Sequence, residues 1–361
     1  MAIPYSRFVA FNITWYSVLI IAGILLALFL GTREEKRLDL PKDTMLNIVL
    51  ITVPAGIIGS RIYYVLMELD QYIADPVSIL YIWKGGVAIY GAVIGGVLSL
   101  WIYSRVKKIS FATLLDIVAP GLILAQAIGR WGNYFNREAY GPVITNVFWQ
   151  FFPAGVLIQE GGVQVWHVAT FFYESMWNLA VFAVLWLTRK RMKRRGDVFL
   201  WYMALYACGR YLVEQLRTDS LYLLDMRVSQ MLSLLLCVAV AVVFLVRLYP
   251  VNRRRPFAAY TLLCFLAFLR PLLAGSLPGV IITIALYVVG IGGLLLFTGA
   301  DWPVLCWVGA DLLVYLMLWI FGGQWLWQSP YFIYLGISVA VYLWMPYRAL
   351  HEETQNAGHS A

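Results

Sequence analysis

Two short stretches carry most of the chemistry open to this chain. The first, GRWGNYFNREAYG at residues 129–141, sets two arginines, two asparagines and a glutamate among three glycines at the end of an apolar run. The Arg130 guanidinium is a planar fork of N–H donors that meets phosphate oxygens in pairs, and Asn133 and Asn136, one helical turn apart, add amide donors beside it. The positions one turn from Arg130 (Gln126, Ala127, Asn133 and Tyr134) carry no negative charge. The second stretch, YACGRYLVEQLRTD at 206–219, spaces Arg210, Glu214 and Arg217 at i, i+4 and i+7. On a helix that puts them within about 60° of one another, with Glu214 relieving the repulsion between the two cations. Taken alone, the second set reads equally well as an internal ion-pair ladder that holds helices together.

What is missing narrows the chemistry. There is no GxxxxGK[ST] loop and no GxSxG elbow, the three histidines are scattered (His167, His351, His359), and the four cysteines stand far apart inside apolar runs. Nucleotide hydrolysis, metal-assisted hydrolysis and serine-esterase chemistry therefore lack their parts, and no cofactor is expected. What remains is cationic stabilisation of an anionic leaving group, with a tyrosine or a water molecule to accept a proton.

The elements that position these residues follow from composition. Of 361 residues 62% are hydrophobic and 13% charged, and apolar runs of spanning length recur along the chain, which predicts an all-α polytopic membrane protein. Seven spans are expected near 14–31, 44–67, 86–104, 111–133, 171–188, 197–217 and 228–248, and about four more near 257–274, 278–298, 302–321 and 329–346. Of the 27 lysines and arginines, 17 fall in four clusters (Arg33 to Lys42, Arg105 to Lys108, Arg189 to Arg195, Arg247 to Arg255) after the first, third, fifth and seventh spans. This is the positive-inside pattern; it accounts for the net charge of +8 without nucleic acid and puts the N-terminus outside.

With the direction of each span assigned, Tyr16, Arg61, Tyr90, Arg130 with Asn133, and the Arg210–Glu214–Arg217 set are all expected toward the outer leaflet. An arginine within a span costs about 2.5–3.5 kcal/mol near the helix centre, so several together imply an anionic partner or a water-filled cavity. In the outer leaflet the abundant anion is a phospholipid head group. Close helix packing explains Gly91 and Gly95, a GxxxG pair, without any ligand.

At this point the first stretch resembles the signature of the bacterial phosphatidylglycerol–prolipoprotein diacylglyceryl transferases, with Gly129, Arg130, Gly132, Asn133, Asn136, Glu138 and Gly141 in register. ITWYSVLIIAGI (13–24), GSRIYYVL (59–66), WKGGVAIYGAVIGG (83–96), FATLLDIVAPGL (111–122), FFYES (171–175) and the 206–219 stretch extend the likeness over about residues 10–250. The resemblance implies transfer of diacylglyceryl from phosphatidylglycerol to the lipobox cysteine of a prolipoprotein, with release of glycerol phosphate.

Carried over residue by residue, Arg130 would hold the lipid phosphate, with Asn133, Asn136 and Glu138 shaping the head-group site and Tyr16 lining it. Arg210 would stabilise the departing phosphate, with Glu214, Arg217 and Arg61 around the substrate. Some family members carry histidine where this chain has Tyr90. A tyrosine titrates near about 10 against about 8.5 for a cysteine thiol, so Tyr90 is either a proton acceptor as phenolate or a hydrogen-bond donor that positions substrate. His167 stands one residue out of register with the family's histidine before the Tyr-Glu pair and reads as a loop residue.

The resemblance thus predicts a seven-helix transferase core over residues 1–250. Additional transmembrane helices of unassigned role occupy 251–346, and a polar tail 347–361. The expected partners are phosphatidylglycerol, the lipobox segment and the bilayer, with no nucleic acid. The expected location is the bacterial plasma membrane, with the active site toward the outer leaflet. A transporter or flippase for an anionic lipid or solute is the alternative; it calls for internal repeats and polar residues in both leaflets, whereas the inner halves of these spans hold little beyond Asp116.

Overall fold

In a computed structural model of the chain, which describes residues 8–10, 13–192, 194–214, 216–218, 222–223 and 226–248, helices dominate. They are α1 (Trp15–Arg37), α2 (Thr44–Met67), the short α3 (Leu69–Ala74), α4 (Ile89–Lys107), α5 (Phe111–Asn136), α6 (Thr170–Thr188), α7 (Asp197–Glu214) and α8 (Val228–Leu248). All seven expected core spans are present as helices, and α1, α2, α4, α5 and α6 are long and apolar enough to cross a membrane. The four further spans expected after residue 256, and the polar tail, lie outside the described residues.

The helices sort into two compact units. One comprises Pro4–Asn136 and Ser175–Tyr202; the other contains Arg137–Glu174 and the described residues from Met203 onward.

In the first unit α1 and α5 run antiparallel along a seam of small residues. A Cβ on Gly23 would lie 3.1 Å from Ala125, one on Gly121 2.9 Å from Ala27, and one on Gly132 2.3 Å from the Tyr16 ring. With no hydrophobic drive between helices in lipid, such close backbone approach is what holds them. The α2–α4 pair uses the same device: a Cβ on Gly91 would sit 2.2 Å from the Gly59 carbonyl, and one on Gly95 2.4 Å from that of Ala55. Gly91 and Gly95 are thus packing residues. Large apolar side chains such as Leu25, Leu50, Ile58 and Val93 remain exposed along these helices, the surface lipid would cover.

The ends of the spans that carry the basic clusters are tied together by three carboxylates. Glu35, buried, accepts hydrogen bonds from the Asp43 and Met45 amides at 3.0 and 2.7 Å and so closes the start of α2. Glu34, also buried, receives Arg37 Nε at 2.7 Å and Arg189 Nε at 2.6 Å. Asp116 accepts from the Gly196 and Phe199 amides at 2.6 and 2.9 Å, capping α7 where free N–H groups and the helix dipole favour an anion. Glu34 and Glu35 carry no signal of this role in the sequence, because their partners are brought to them only by folding.

The second unit contains an antiparallel hairpin, β3 (Gly155–Glu160) with β4 (Val163–Val168), in the connection between α5 and α6, and a shorter ladder, β5 (Tyr222–Leu223) with β6 (Met226–Arg227), at the start of α8; in the first unit a short ladder, numbered β1 (Phe8–Ala10) and β2 (Ile13–Thr14), stands at the start of α1. Cys208 and Cys237 are buried free thiols on α7 and α8, in keeping with packing roles.

Candidate active site

In the first unit the signature occupies the last turns of α5. Gly132 has no side chain because Tyr16, at the start of α1, fills that space. Thr14 caps α1, its hydroxyl accepting from the Ser17 amide at 3.2 Å, and Trp15 stacks on Phe135 at 5.0 Å between ring centroids. The beginning of α1 is therefore fixed against the signature helix at two adjacent side chains. Arg130 and Asn133 lie half-buried on α5, both engaged with other groups, and Asn136 is its last residue.

Tyr90, on the first turn of α4, is half-exposed, and its ring lies 6.1 Å from that of Tyr63 on α2. Arg61 differs from its expected role at the substrate. It is 7% exposed, and its guanidinium donates to four backbone carbonyls: Ile79 and Gly85 at 2.8 Å, Ser78 and Gly86 at 2.7 Å. A guanidinium has five N–H donors, so Arg61 anchors the 76–86 connection instead of presenting a fork to a phosphate.

In the second unit the signature's tail is held as firmly as its helix. Arg137 and Ala139 both take left-handed backbone, with φ of 57° and 55°. Thr170 Oγ1 donates to the Ala139 carbonyl at 2.5 Å and Thr218 Oγ1 to that of Tyr140 at 3.2 Å. Gly141 pairs with β4, its amide donating to the Val168 carbonyl at 2.9 Å, and a Cβ there would stand 2.6 Å from the Leu216 carbonyl. Only glycine fits. Glu138, among these pinned residues, is exposed.

His167 completes this frame. Its Nδ1 lies 2.9 Å from the Gly141 carbonyl, and since a carbonyl can only accept, Nδ1 carries the proton. Its Nε2 is 3.4 Å from Glu160 Oε1, which also receives the Tyr140 hydroxyl at 3.0 Å, and the two rings meet at 4.6 Å. His167 lies on β4, paired with Val156 on β3, and not in a loop as expected; buried there, it is a backbone pin. Replacing it with alanine is expected to lower the turnover number about tenfold by letting Gly141 drift. Asparagine, which keeps a donor near Nδ1, should recover most of that; parallel kinetics of the two variants decide, and equal losses would refute the pin.

Arg210 lies on α7 between carboxylates. Its Nη2 is 2.6 Å from Glu214 Oε2, an ion pair of proximity without an aligned N–H; its Nη1 is 3.5 Å from Glu174 Oε2 on α6, and Nη2 donates to Ser229 Oγ on α8 at 3.2 Å. Both glutamates are buried. The expected three-member helical ladder is corrected at its last step: α7 ends at Glu214, and Arg217 lies past it, its amide donating back to the Glu214 carbonyl at 3.2 Å. Arg227 also donates to that carbonyl, and Arg217 follows the helix instead of lying on it.

Comparison with known proteins bears on these features. Residues 5–246 match the prolipoprotein diacylglyceryl transferase family model. A phosphatidylglycerol–prolipoprotein diacylglyceryl transferase of Oceanobacillus iheyensis is 46% identical over 241 residues, 65% of this chain and 84% of that protein. Those of Enterococcus faecalis and Streptococcus agalactiae are 43% and 42% identical over 255 and 239 residues, covering 69% and 66% of this chain and 90% and 92% of theirs.

Proposed function

The chain belongs to the prolipoprotein diacylglyceryl transferase family, and from that premise we propose how its residues carry out the transfer. It is a multi-pass bacterial membrane protein that moves diacylglyceryl from phosphatidylglycerol to a prolipoprotein. The acceptor in this reading is the thiol of a lipobox cysteine. A C–S bond forms at the glyceryl carbon as its C–O bond to phosphate breaks; the electron pair leaves with glycerol phosphate, and the thiol proton passes to a base.

The observation that carries the residue assignments is the signature at the end of α5, with Tyr16 seated on Gly132. Arg130 holds the phosphate, with Asn133, Asn136 and Glu138 as its polar surroundings and Tyr16 as a wall. Arg210 stabilises the negative charge that grows on the leaving phosphate, and Glu214 holds that guanidinium in place. Tyr90 meets the thiol. Arg217 contributes from the turn after α7, and Arg61 acts at one remove through the connection it anchors. The basic clusters support an N-terminus outside and a reaction in the outer leaflet.

Mass spectrometry of a lipobox peptide incubated with the purified protein and phosphatidylglycerol tests the reading. A diacylglyceryl mass gain on the cysteine is expected; its absence with folded protein would refute the reaction. The core is assigned to residues 1–250, so a chain ending after Arg255 should retain transfer. A truncated product that inserts but is inactive would make the region beyond it part of the enzyme.

A further inference from the structure

The connection between α5 and α6 carries an apolar surface that the transfer mechanism does not use. From Ala139 to Gln159 it has no charged residue. At its centre a single 3-10 turn, Val147–Trp149, leaves its side chains 78%, 73% and 52% exposed, and Phe151 beside it is exposed as well. Water tolerates such a group of neighbours poorly.

This turn is built rather than loose. Asn146 Oδ1 accepts from the Phe148 amide at 3.0 Å, and the Trp149 and Gln150 amides donate back to Asn146 and Val147 at 3.1 Å each. Gln150 Nε2 closes the base on the Ile144 carbonyl at 2.9 Å, and the Phe148 and Trp149 rings meet edge to face at 5.1 Å. Behind it the chain is fastened to the first turn of α6: Phe152 packs on Phe172 at 5.1 Å, and the Tyr173 hydroxyl donates to the Ala154 carbonyl at 2.9 Å. Ahead of it, Ile144 donates to Trp166 on β4 at 2.7 Å, on the edge that Gly141 begins.

We propose that Val147, Phe148 and Trp149 are seated in the bilayer interface on the side where α6 begins, and that this anchorage sets the depth of the signature's tail. Three features favour lipid as the occupant: the turn is fastened to the start of a membrane span, the stretch from Ala139 to Gln159 that holds it carries no charge, and tryptophan and phenylalanine are interfacial residues. The link to depth is mechanical, through the backbone pairs that join Ile144 and Gly141 to β4.

The test replaces Phe148 with p-benzoylphenylalanine in the full chain, placed in phosphatidylglycerol-containing nanodiscs, with retained transfer certifying the fold. Illumination should give a lipid adduct on this residue without any peptide present. An adduct only to an added lipobox peptide would make the turn a substrate dock, and no adduct to either would place it in water; both overturn the proposal. A Phe148→Ser, Trp149→Ser variant should lose about tenfold in transfer from vesicle phosphatidylglycerol and keep its rate with dispersed short-chain phosphatidylglycerol. The depth role falls if both substrates respond alike. This second readout rests on the transfer reaction, whereas the photo-adduct does not, so the two failures are distinguishable.

Discussion

Arg130→Ala should lower diacylglyceryl transfer by about a thousandfold, the scale for removing a charge stabiliser preorganised at a reacting group. Arg130→Lys should fare only modestly better, because a lysine offers a point charge in place of a two-donor fork. Neither should prevent insertion: the contacts that fix α5 to α1 lie at Gly121, Ala125 and Gly132, none of which is changed. Initial rates of peptide modification, measured beside thermal unfolding of the same preparations, separate the two effects. A variant that unfolds normally and transfers within a few-fold of the parent would remove Arg130 from the phosphate.

The spans and the signature were legible because both are local. Twenty apolar residues announce a helix wherever they fall, and the spacing of Gly129, Arg130, Gly132 and Asn133 lies within one turn and a half of α5. Gly91 and Gly95 were legible for the same reason, their small surfaces repeating at the helical period. Arg61 was not, since its four carbonyl partners lie 17 to 25 residues away in a connection without a periodic pattern. Glu34 was hidden more deeply: its ion pair with Arg189 closes across 155 residues, and in sequence both are members of a cluster at the end of a span. Arg217 was misplaced because helical spacing was carried past Glu214. The Glu214 carbonyl, where α7 ends, instead accepts from Arg227, which lies on β6 just before α8.

Arg210→Ala has the second large expected effect, and it combines two losses. The side chain is 16% exposed and faces Glu174 and Glu214, both nearly inaccessible, so its removal takes away a positive charge that two buried carboxylates share. Breaking a buried pair in this way costs about 3–5 kcal/mol; the variant should melt earlier as well as fail to transfer. A lost activity would then say nothing about the leaving phosphate. Adding Glu174→Gln and Glu214→Gln removes the buried negative charge, and the triple variant should recover most of the lost stability. Transfer should stay absent in it, because a leaving phosphate still lacks its cation. Unfolding and peptide modification of the single and triple variants, side by side, resolve the matter: recovered stability without transfer assigns Arg210 to the chemistry, while recovery of both would make it a fold residue whose charge serves only its two glutamates.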